Sequence, residues 1–185
     1  LVKIEVIRTE NKNPLLSGAK FQIACDVKNP LCGKQGATYI FGPQKGVTEE
    51  QKEQVDEAMR HYADVTKESL DCDFADCEGA GAAGGLGYAF LSYLAGELIP
   101  GVELILQATG LEEKMKNADV VVTGEGRLDA QTVMGKAPAG VAALAKKYNA
   151  KVIAFAGSVA PEAKVCNRAG IDAFFPIVRG VTTLE

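Results

Sequence analysis

The chain has 185 residues, of which 47% are hydrophobic and 24% charged, and its formal net charge is −4 at pH 7. This composition is typical of a globular protein with material for one good core, or for one small domain and part of another. The negative balance disfavours a nucleic-acid partner, and no apolar run approaches the roughly 20 residues of a membrane span, so we expect neither kind of partner. The odd number of cysteines, five at irregular spacing, favours free thiols and a cytoplasmic location.

The first 100 residues contain strand, loop and helix patterns. Residues 2–7 and 21–27 alternate apolar and polar side chains, which predicts two half-exposed strands. Residues 26–46 form a long loop that we expect to be ordered, because it carries apolar side chains. A capping box of Thr48 and Gln51 predicts the start of a helix.

A glycine-dense segment at 79–87 precedes an apolar stretch, 88–98, which predicts a buried helix ended by Pro100. Thr109 and Glu112 predict a second capping box, for a short helix that ends near Asn117.

The last third of the chain has the cleanest pattern. Strands are predicted at 118–123, 152–156 and 173–178, with helices at about 138–148 and 161–169 between them. This β-α-β-α-β order predicts a right-handed parallel sheet in a three-layer arrangement, and the valines at 120–122 predict a strand buried on both faces. We therefore expect an α/β fold in which residues 1–100 are part of one α/β domain. Residues 101–185 are then an incomplete Rossmann-like segment.

The segment that follows these valines is crowded with polar chemistry. Because open α/β sheets hold ligands at the carboxyl ends of their strands, this segment is a candidate site. Arg127 can hold a carboxylate in a bidentate pair, and Lys136 can meet an anion together with the free N–H groups of the following helix. Glu125 or Asp129 can orient a hydroxyl nucleophile or hold Mg²⁺. The alternative is a structural loop in which Arg127 pairs with Asp129.

Two further groups of residues are candidates for ligand contacts. Asp26 and Asn29 follow a predicted strand, where they can contact a ligand or satisfy local backbone in an Asx turn. Lys45 lies between glycines and is either a phosphate clamp or a solvated turn lysine.

The glycines invite comparison with nucleotide-binding loops. Residues 79–84 match G-x-G-x-x-G, but an acidic segment precedes them where a dinucleotide loop needs a buried strand. We expect backbone N–H groups around Gly79 and Gly81 to bind phosphate, with tight packing of small residues as the alternative. After the valines, Asp129 replaces the third glycine of such a loop. Residues 131–137 resemble the end of a P-loop, but Ala130 stands at the position of its first glycine and Ala137 at the position of its hydroxyl residue.

Four motifs together resemble the type I glycerate kinases. They are Ala24-Cys25-Asp26-Val27-x-Asn29-Pro30-Leu31, Phe41-Gly42-Pro43-Gln44-Lys45-Gly46, the glycine-rich segment 79–87, and Thr123-Gly124-Glu125-Gly126-Arg127-Leu128-Asp129-x-Gln131-Thr132-x-x-Gly135-Lys136-Ala137-Pro138. The resemblance implies two α/β domains with the active site in the cleft between them. It also implies phosphorylation of D-glycerate with ATP and Mg²⁺, and a chain that covers about half of a family member.

Together with the chemistry above, the resemblance defines a candidate site. The candidate catalytic residues are Asp129, Glu125 and Asp26. The candidate substrate- and phosphate-binding residues are Arg127, Lys136, Lys45, Asn29, Thr123, Gly124, Gly126, Gln131, Gly79 and Gly81. The alternative function is a non-catalytic module that binds a small hydroxy acid or a nucleotide. The choice between the 2- and 3-hydroxyl of glycerate and the formation of a homodimer both stay open.

Overall fold

A computed structural model describes residues 1–178 and residue 180. The chain divides into two compact units, Leu1–Gly101 and Val102–Glu185. Each unit contains helices and a parallel sheet, which confirms the predicted α/β class. None of the helices in the described residues combines the length and the apolar character that crossing a bilayer requires.

The first unit is built around a short two-stranded sheet. Its strands and α-helices are β1 (Gln22–Ala24), α1 (Ala37–Phe41), α2 (Lys52–Leu70), α3 (Leu86–Leu94) and β2 (Glu97–Ile99). The two strands pair in parallel from Gln22↔Glu97 to Ala24↔Ile99. Under the helices lies a small apolar core of Leu31, Ala63, Ala80 and Tyr88.

Two predictions for this unit need correction. Residues 2–7 form no strand, because no other segment pairs with them and an alternating segment without a partner strand is not stable. The predicted helix at 88–98 ends at Leu94, since Ala95 takes a left-handed φ of 48° and the Gly96 N–H donates to the Phe90 carbonyl at 2.9 Å. This turn leads the chain into β2, a strand that the sequence pattern did not predict.

Other predictions for the first unit hold. The capping box of Thr48 and Gln51 is present, and the Thr48 N–H donates to Gln51 Oε1 at 3.1 Å. It begins a short 3₁₀ turn, Glu49–Gln51, that leads directly into α2. The long loop at 26–46 is ordered and contains α1 and a 3₁₀ turn at Pro43–Lys45.

The second unit contains a three-stranded parallel sheet. Its elements are α4 (Gly101–Ala108, which begins at the last residue of the first unit), α5 (Leu111–Met115), β3 (Val120–Leu128), α6 (Ala137–Lys146), β4 (Lys151–Val159), α7 (Val165–Arg168) and β5 (Ala173–Pro176). The strand order is β3-β4-β5. The second predicted capping box is absent: the Thr109 hydroxyl donates back to the Ile105 carbonyl at 2.8 Å, and Gly110, at φ 60°, precedes α5.

The core of this unit lies on one face of the sheet. Val152, Ala154 and Ala156 of β4 are fully buried against Ala142 and Ala145 of α6. Burial of one aliphatic side chain as large as valine contributes about 1.5–3 kcal/mol.

The opposite face of the sheet contradicts the prediction of a strand buried on both sides. Val120 is 51% exposed and Val122 is 62% exposed. Successive right-handed crossovers that run in one direction place their helices on the same face, so the described helices leave this face uncovered.

Asp172 ties β4 to the chain that leads into β5. Its carboxylate accepts a hydrogen bond from the Val152 N–H at 2.6 Å and pairs with Lys146. The Lys146 ammonium and then the Val152 N–H hold the pKa of this carboxyl below its ordinary value of 3.8. Its stabilising contribution is therefore present above that pH and is lost as the pH falls through the folded-state pKa.

We expect Asp172→Asn to lower the thermal midpoint of unfolding at pH 7, because the charge-assisted bonds to Lys146 and Val152 are weakened. The difference from the parent chain shrinks as the pH falls below 3.8. Thermal melts between pH 2 and pH 8 measure it. Glu162→Gln, at an exposed carboxylate, is the control, and a deficit for Asp172→Asn that is the same at all pH values contradicts the assignment.

Candidate active site

The sequence pattern predicted a strand at 118–123 followed by a polar loop. In the structure β3 continues to Leu128, so residues 124–128 belong to the strand. Its pairing with β4 continues to Arg127↔Ser158 and Leu128↔Val159. Thr123 and Glu125 therefore lie on the face that carries Val121 and the buried core, whereas Arg127 near the strand end is exposed. Gly124 and Gly126 lie on the opposite face.

The backbone of the neighbouring strand requires glycine at position 124. A Cβ at this position would lie 2.5 Å from the Phe155 carbonyl oxygen of β4. A Cβ on Gly126 would have no atom within 4 Å, so packing does not explain the glycine at this position.

Thr132 links the carboxylate of Glu125 to the backbone of Asp129, the two candidate catalytic residues of this unit. Its side chain is completely buried, and its hydroxyl donates to Oε1 of Glu125. The same hydroxyl accepts a hydrogen bond from the Asp129 N–H at 3.2 Å. Thr132 belongs to the last of the four sequence motifs, but the motif alone does not indicate this role. The available signal was a threonine three residues after an aspartate, a spacing common in side-chain-to-backbone turns.

Asp129 is held by a second set of contacts. Its Oδ1 accepts a hydrogen bond from the Gln131 N–H at 2.9 Å and lies 3.6 Å from the Lys136 ammonium. Lys136 directly precedes α6, as predicted. The alternative Arg127–Asp129 pair is not formed. Arg127 is exposed and has no ion-pair partner within residues 1–178, so its guanidinium is available to an anionic ligand.

Cys166 packs against the backbone of Asp129 on the buried side of this cluster. Its thiol is buried and points at the Asp129 carbonyl, with 3.7 Å between Sγ and the oxygen. Burial raises the pKa of this thiol, and the nearby charge of Glu125 raises it further. Cys166 is therefore a protonated packing residue and not a nucleophile.

Two candidates of the first unit make structural contacts. Asp26 accepts a hydrogen bond from the N–H of Gly101, the first residue of α4, at 2.8 Å. The Asn29 side chain donates to the Gln35 carbonyl at 2.7 Å, six residues further along the chain, which is a structural contact but not the Asx turn of the alternative interpretation. Their roles in ligand binding stay predictions.

Gly79 and Gly81 have tight surroundings. A Cβ on Gly79 would lie 2.8 Å from the Cys25 sulfur, and one on Gly81 would lie 2.3 Å from the Pro30 carbonyl oxygen. The Gly81 N–H already donates to the Asn29 carbonyl at 2.9 Å. This geometry favours the packing alternative for both glycines, and their phosphate-binding role stays a prediction.

Lys45 lies beside a small apolar cavity of the first unit. The cavity has a volume of about 140 Å³, and its walls include Phe41, Val47 and Met59. A Cβ on Gly84, in the exposed part of the glycine-rich loop, would lie 3.4 Å from the Lys45 ammonium. Lys45 has no ion-pair partner in the part of the chain that the structure describes.

The structure thus assembles the predicted site residues in separate groups. In the second unit Glu125, Asp129, Gln131 and Lys136 are joined through direct contacts and through Thr132. In the first unit, Asn29 contacts the glycine-rich loop at Gly81.

The carboxylates Glu125 and Asp129 have the donor chemistry that Mg²⁺ uses, which is one or two carboxylates with phosphate oxygens and water completing the shell. Within the described residues no cluster of three or more metal-ligating side chains occurs. A magnesium ion held here would take its remaining ligands from phosphate oxygens and water.

The fold and these polar clusters define an α/β chain with two neighbouring carboxylates and an adjacent lysine at the end of a parallel strand. Comparison with known proteins makes this class specific. The family model of the glycerate kinase family matches residues 1–185, and the chain belongs to this family.

Individual relatives agree with this membership. The chain is 48% identical to a glycerate kinase of Bacillus subtilis over 92% of its own length and 44% of the relative's, and 45% identical to a glycerate 2-kinase of Escherichia coli over 94% and 45%. A crystal structure from Salmonella typhimurium LT2, named as a candidate glycerate kinase 2, superposes with a TM-score of 0.82 at 43% identity, covering 97% of this chain and 46% of that one. The chain therefore spans about half the length of the relatives it matches.

We expect Thr132→Val to destabilise the chain by about 1–3 kcal/mol, because it buries the Glu125 carboxylate oxygen and the Asp129 N–H without partners. Urea unfolding measures the change. Thr132→Ser keeps the hydroxyl and serves as the matched variant, with most of the parent stability expected. Equal losses for the valine and serine variants would mean that the methyl group, not the hydroxyl, is what matters.

A second expectation concerns thiol reactivity. Burial and the charge of Asp56 raise the pKa of Cys32 to about 11. Burial also raises the pKa of the Cys166 thiol. Both should therefore react more slowly with iodoacetamide at pH 8 than the partly exposed Cys72, with rates read at each site by peptide mass spectrometry. Unfolding in urea should bring the three rates together. Fast labelling of Cys166 in the folded chain contradicts its assignment as a protonated packing residue.

Proposed function

We propose that this chain forms part of an ATP-dependent kinase that phosphorylates D-glycerate. The observation that carries the proposal is the cluster in which Thr132 holds Glu125 beside Asp129 and Lys136, in a chain that belongs to the glycerate kinase family. Phosphoryl transfer depends mainly on positioning and on stabilisation of charge, and such a cluster supplies both without a covalent intermediate.

The second unit supplies groups for the hydroxyl acid. Arg127 binds the glycerate carboxylate through its exposed guanidinium. Asp129 and Glu125 are the two candidates for the group that orients the attacking hydroxyl, and the variants below separate them. We take the 2-hydroxyl as the acceptor to be tested first, because the Escherichia coli relative is named a glycerate 2-kinase.

Each unit, taken by itself, carries a cation suited to phosphate. Lys136, at the start of α6, neutralises charge together with the free N–H groups of that helix. Lys45 beside its apolar cavity suits a ligand that combines a flat ring with phosphates, as ATP does. Mg²⁺, held by Asp129 or Glu125 with phosphate oxygens, would neutralise the charge on the transferring group. The free cysteines suit a reducing compartment, and we place the protein in the cytoplasm.

The test uses a chimera in which the chain replaces its matching region in the Bacillus subtilis glycerate kinase. ADP release is measured with D-glycerate and ATP, and NMR of the product identifies the phosphorylated hydroxyl. A folded chimera that binds glycerate by calorimetry without releasing ADP contradicts the kinase proposal and favours a non-catalytic binding module.

We expect Asp129→Asn or Glu125→Gln, whichever removes the group that orients the hydroxyl, to lower kcat of the chimera about 10²-fold or more. Arg127→Lys should raise KM for glycerate about tenfold with a smaller effect on kcat, because the bidentate contact is lost. Asp119→Asn, at an exposed carboxylate that directly precedes the first residue of β3, is the matched control. Parent-like rates for both carboxylate variants would remove these residues from the reaction.

A further inference from the structure

The hydroxyl of Thr132 has its single proton committed to Glu125. A threonine hydroxyl offers one O–H donor and two acceptor lone pairs. The Asp129 N–H can only donate, and it does so to this oxygen at 3.2 Å, which leaves the hydroxyl proton for Oε1 of Glu125. The hydrogen bond therefore has one possible direction, and it fixes one carboxylate oxygen of Glu125.

The Thr132 side chain is itself held in place. It is completely buried, and the β-branch of threonine restricts rotation about χ1. The Thr132 N–H closes a turn on the Asp129 carbonyl at 3.2 Å, and the Cys166 thiol packs on the same carbonyl. Side chains whose rotamers are locked by packing and hydrogen bonds keep their partners in one geometry. Thr132 is therefore a rigid support for Glu125.

Glu125 and Asp129 differ in the contacts of their carboxylates. Oδ1 of Asp129 accepts the Gln131 N–H at 2.9 Å and lies 3.6 Å from the Lys136 ammonium, so the chain already balances part of its charge. Glu125 is half-buried, and among the described residues its carboxylate has the Thr132 hydroxyl as a donor and no ion-pair partner. Both carboxylates keep a second oxygen, but that of Glu125, whose charge no described cation balances, is the stronger acceptor for a ligand hydroxyl.

We propose that Thr132 is a positioning residue of the phosphoryl-transfer site. Its hydroxyl holds Oε1 of Glu125, which places Oε2 for the attacking hydroxyl of the substrate, while Asp129 remains with Lys136. The inference rests on the proposed kinase function and adds to it which carboxylate orients the substrate. Thr132 touches none of the reacting atoms and acts through Glu125 alone.

The step that Thr132 supports is the transfer itself. The substrate oxygen forms a bond to the γ-phosphorus of ATP, the bond from that phosphorus to the bridging oxygen breaks to release ADP, and the hydroxyl proton passes to Oε2 of Glu125. Phosphoryl transfer depends on the alignment of the attacking oxygen, and a misplacement of about 1 Å can lower the rate on the order of 10²-fold. Loss of the Thr132 hydroxyl should therefore slow the step more than it weakens binding.

The first test separates kcat from KM in the Bacillus subtilis chimera, with ADP release measured at a temperature at which the variants are folded by circular dichroism. We expect Thr132→Val to lower kcat about tenfold or more and to leave KM for D-glycerate and ATP within about twofold. Val152→Ala removes buried volume from the core of the same unit, at the position paired with Val121, and is the control for lost stability. A parent-like kcat for Thr132→Val overturns the proposal, and so does an equal loss of kcat in Val152→Ala.

The conservative variant gives a second readout. Thr132→Ser keeps the hydroxyl and removes only the methyl group, so we expect its kcat to stay within about threefold of the parent value. A loss of about tenfold or more in a folded Thr132→Ser chimera overturns the proposal, because the hydroxyl would then not be the active group. This comparison does not require that Thr132→Val folds.

A double variant tests whether Thr132 acts through Glu125. Residues that act as a unit give non-additive effects, so Thr132→Val should lower kcat of a Glu125→Gln chimera by no more than about threefold. Losses that multiply overturn the proposal. A parent-like kcat for Glu125→Gln also overturns it but leaves the kinase function standing, with Asp129 as the remaining candidate. A parent chimera that binds D-glycerate without releasing ADP contradicts the proposed function itself, and this inference with it.

Discussion

The long parallel pairing of β3 with β4 is the constraint on which the candidate site depends. It runs from Val120↔Lys151 to Leu128↔Val159, so the polar segment is part of the sheet and not of a flexible loop. Strand geometry assigns alternate residues to opposite faces. Glu125 consequently shares a face with the buried core, where the hydroxyl of Thr132 can meet it.

This placement fixes the contacts of the charged side chains of the second unit. Asp129 is held by the Gln131 N–H and by Lys136, and Glu125 is held by Thr132. Arg127 is exposed and has no ion-pair partner among the described residues. Groups that are fixed before a substrate arrives lower the cost of reorganisation during charge transfer, which is why pre-organisation suits a kinase. The inert Cys166 thiol fits the same account, because it fills space next to Asp129 without adding a nucleophile.

The one-sided core of the second unit follows from the same sheet. Its aliphatic residues are sufficient to hold α6 against β4, yet Val122 and Phe175 on the other face have no cover among the described residues.

Much of the fold could be predicted from the sequence, because local signals were strong there. The capping box at Thr48, the helix start at Lys136 and the alternating strands and helices of the last third depend on neighbours a few residues apart. The motifs around Asp26 and Gly124 likewise identified the family, since they are contiguous in the chain.

Only the tertiary structure decided what depends on distant partners. Residues 2–7 have no neighbouring strand among the described residues and form none themselves. The strand that contains the valines at 120–122 is covered by described helices on one face only. Lys136, and not Arg127, became the partner of Asp129, and Thr132 became the contact between Glu125 and the Asp129 backbone. The sequence by itself determined the elements, the family and the chemistry available. Which groups meet, and which face is covered, was decided by packing, because contacts between side chains depend on positions in space that no local pattern specifies.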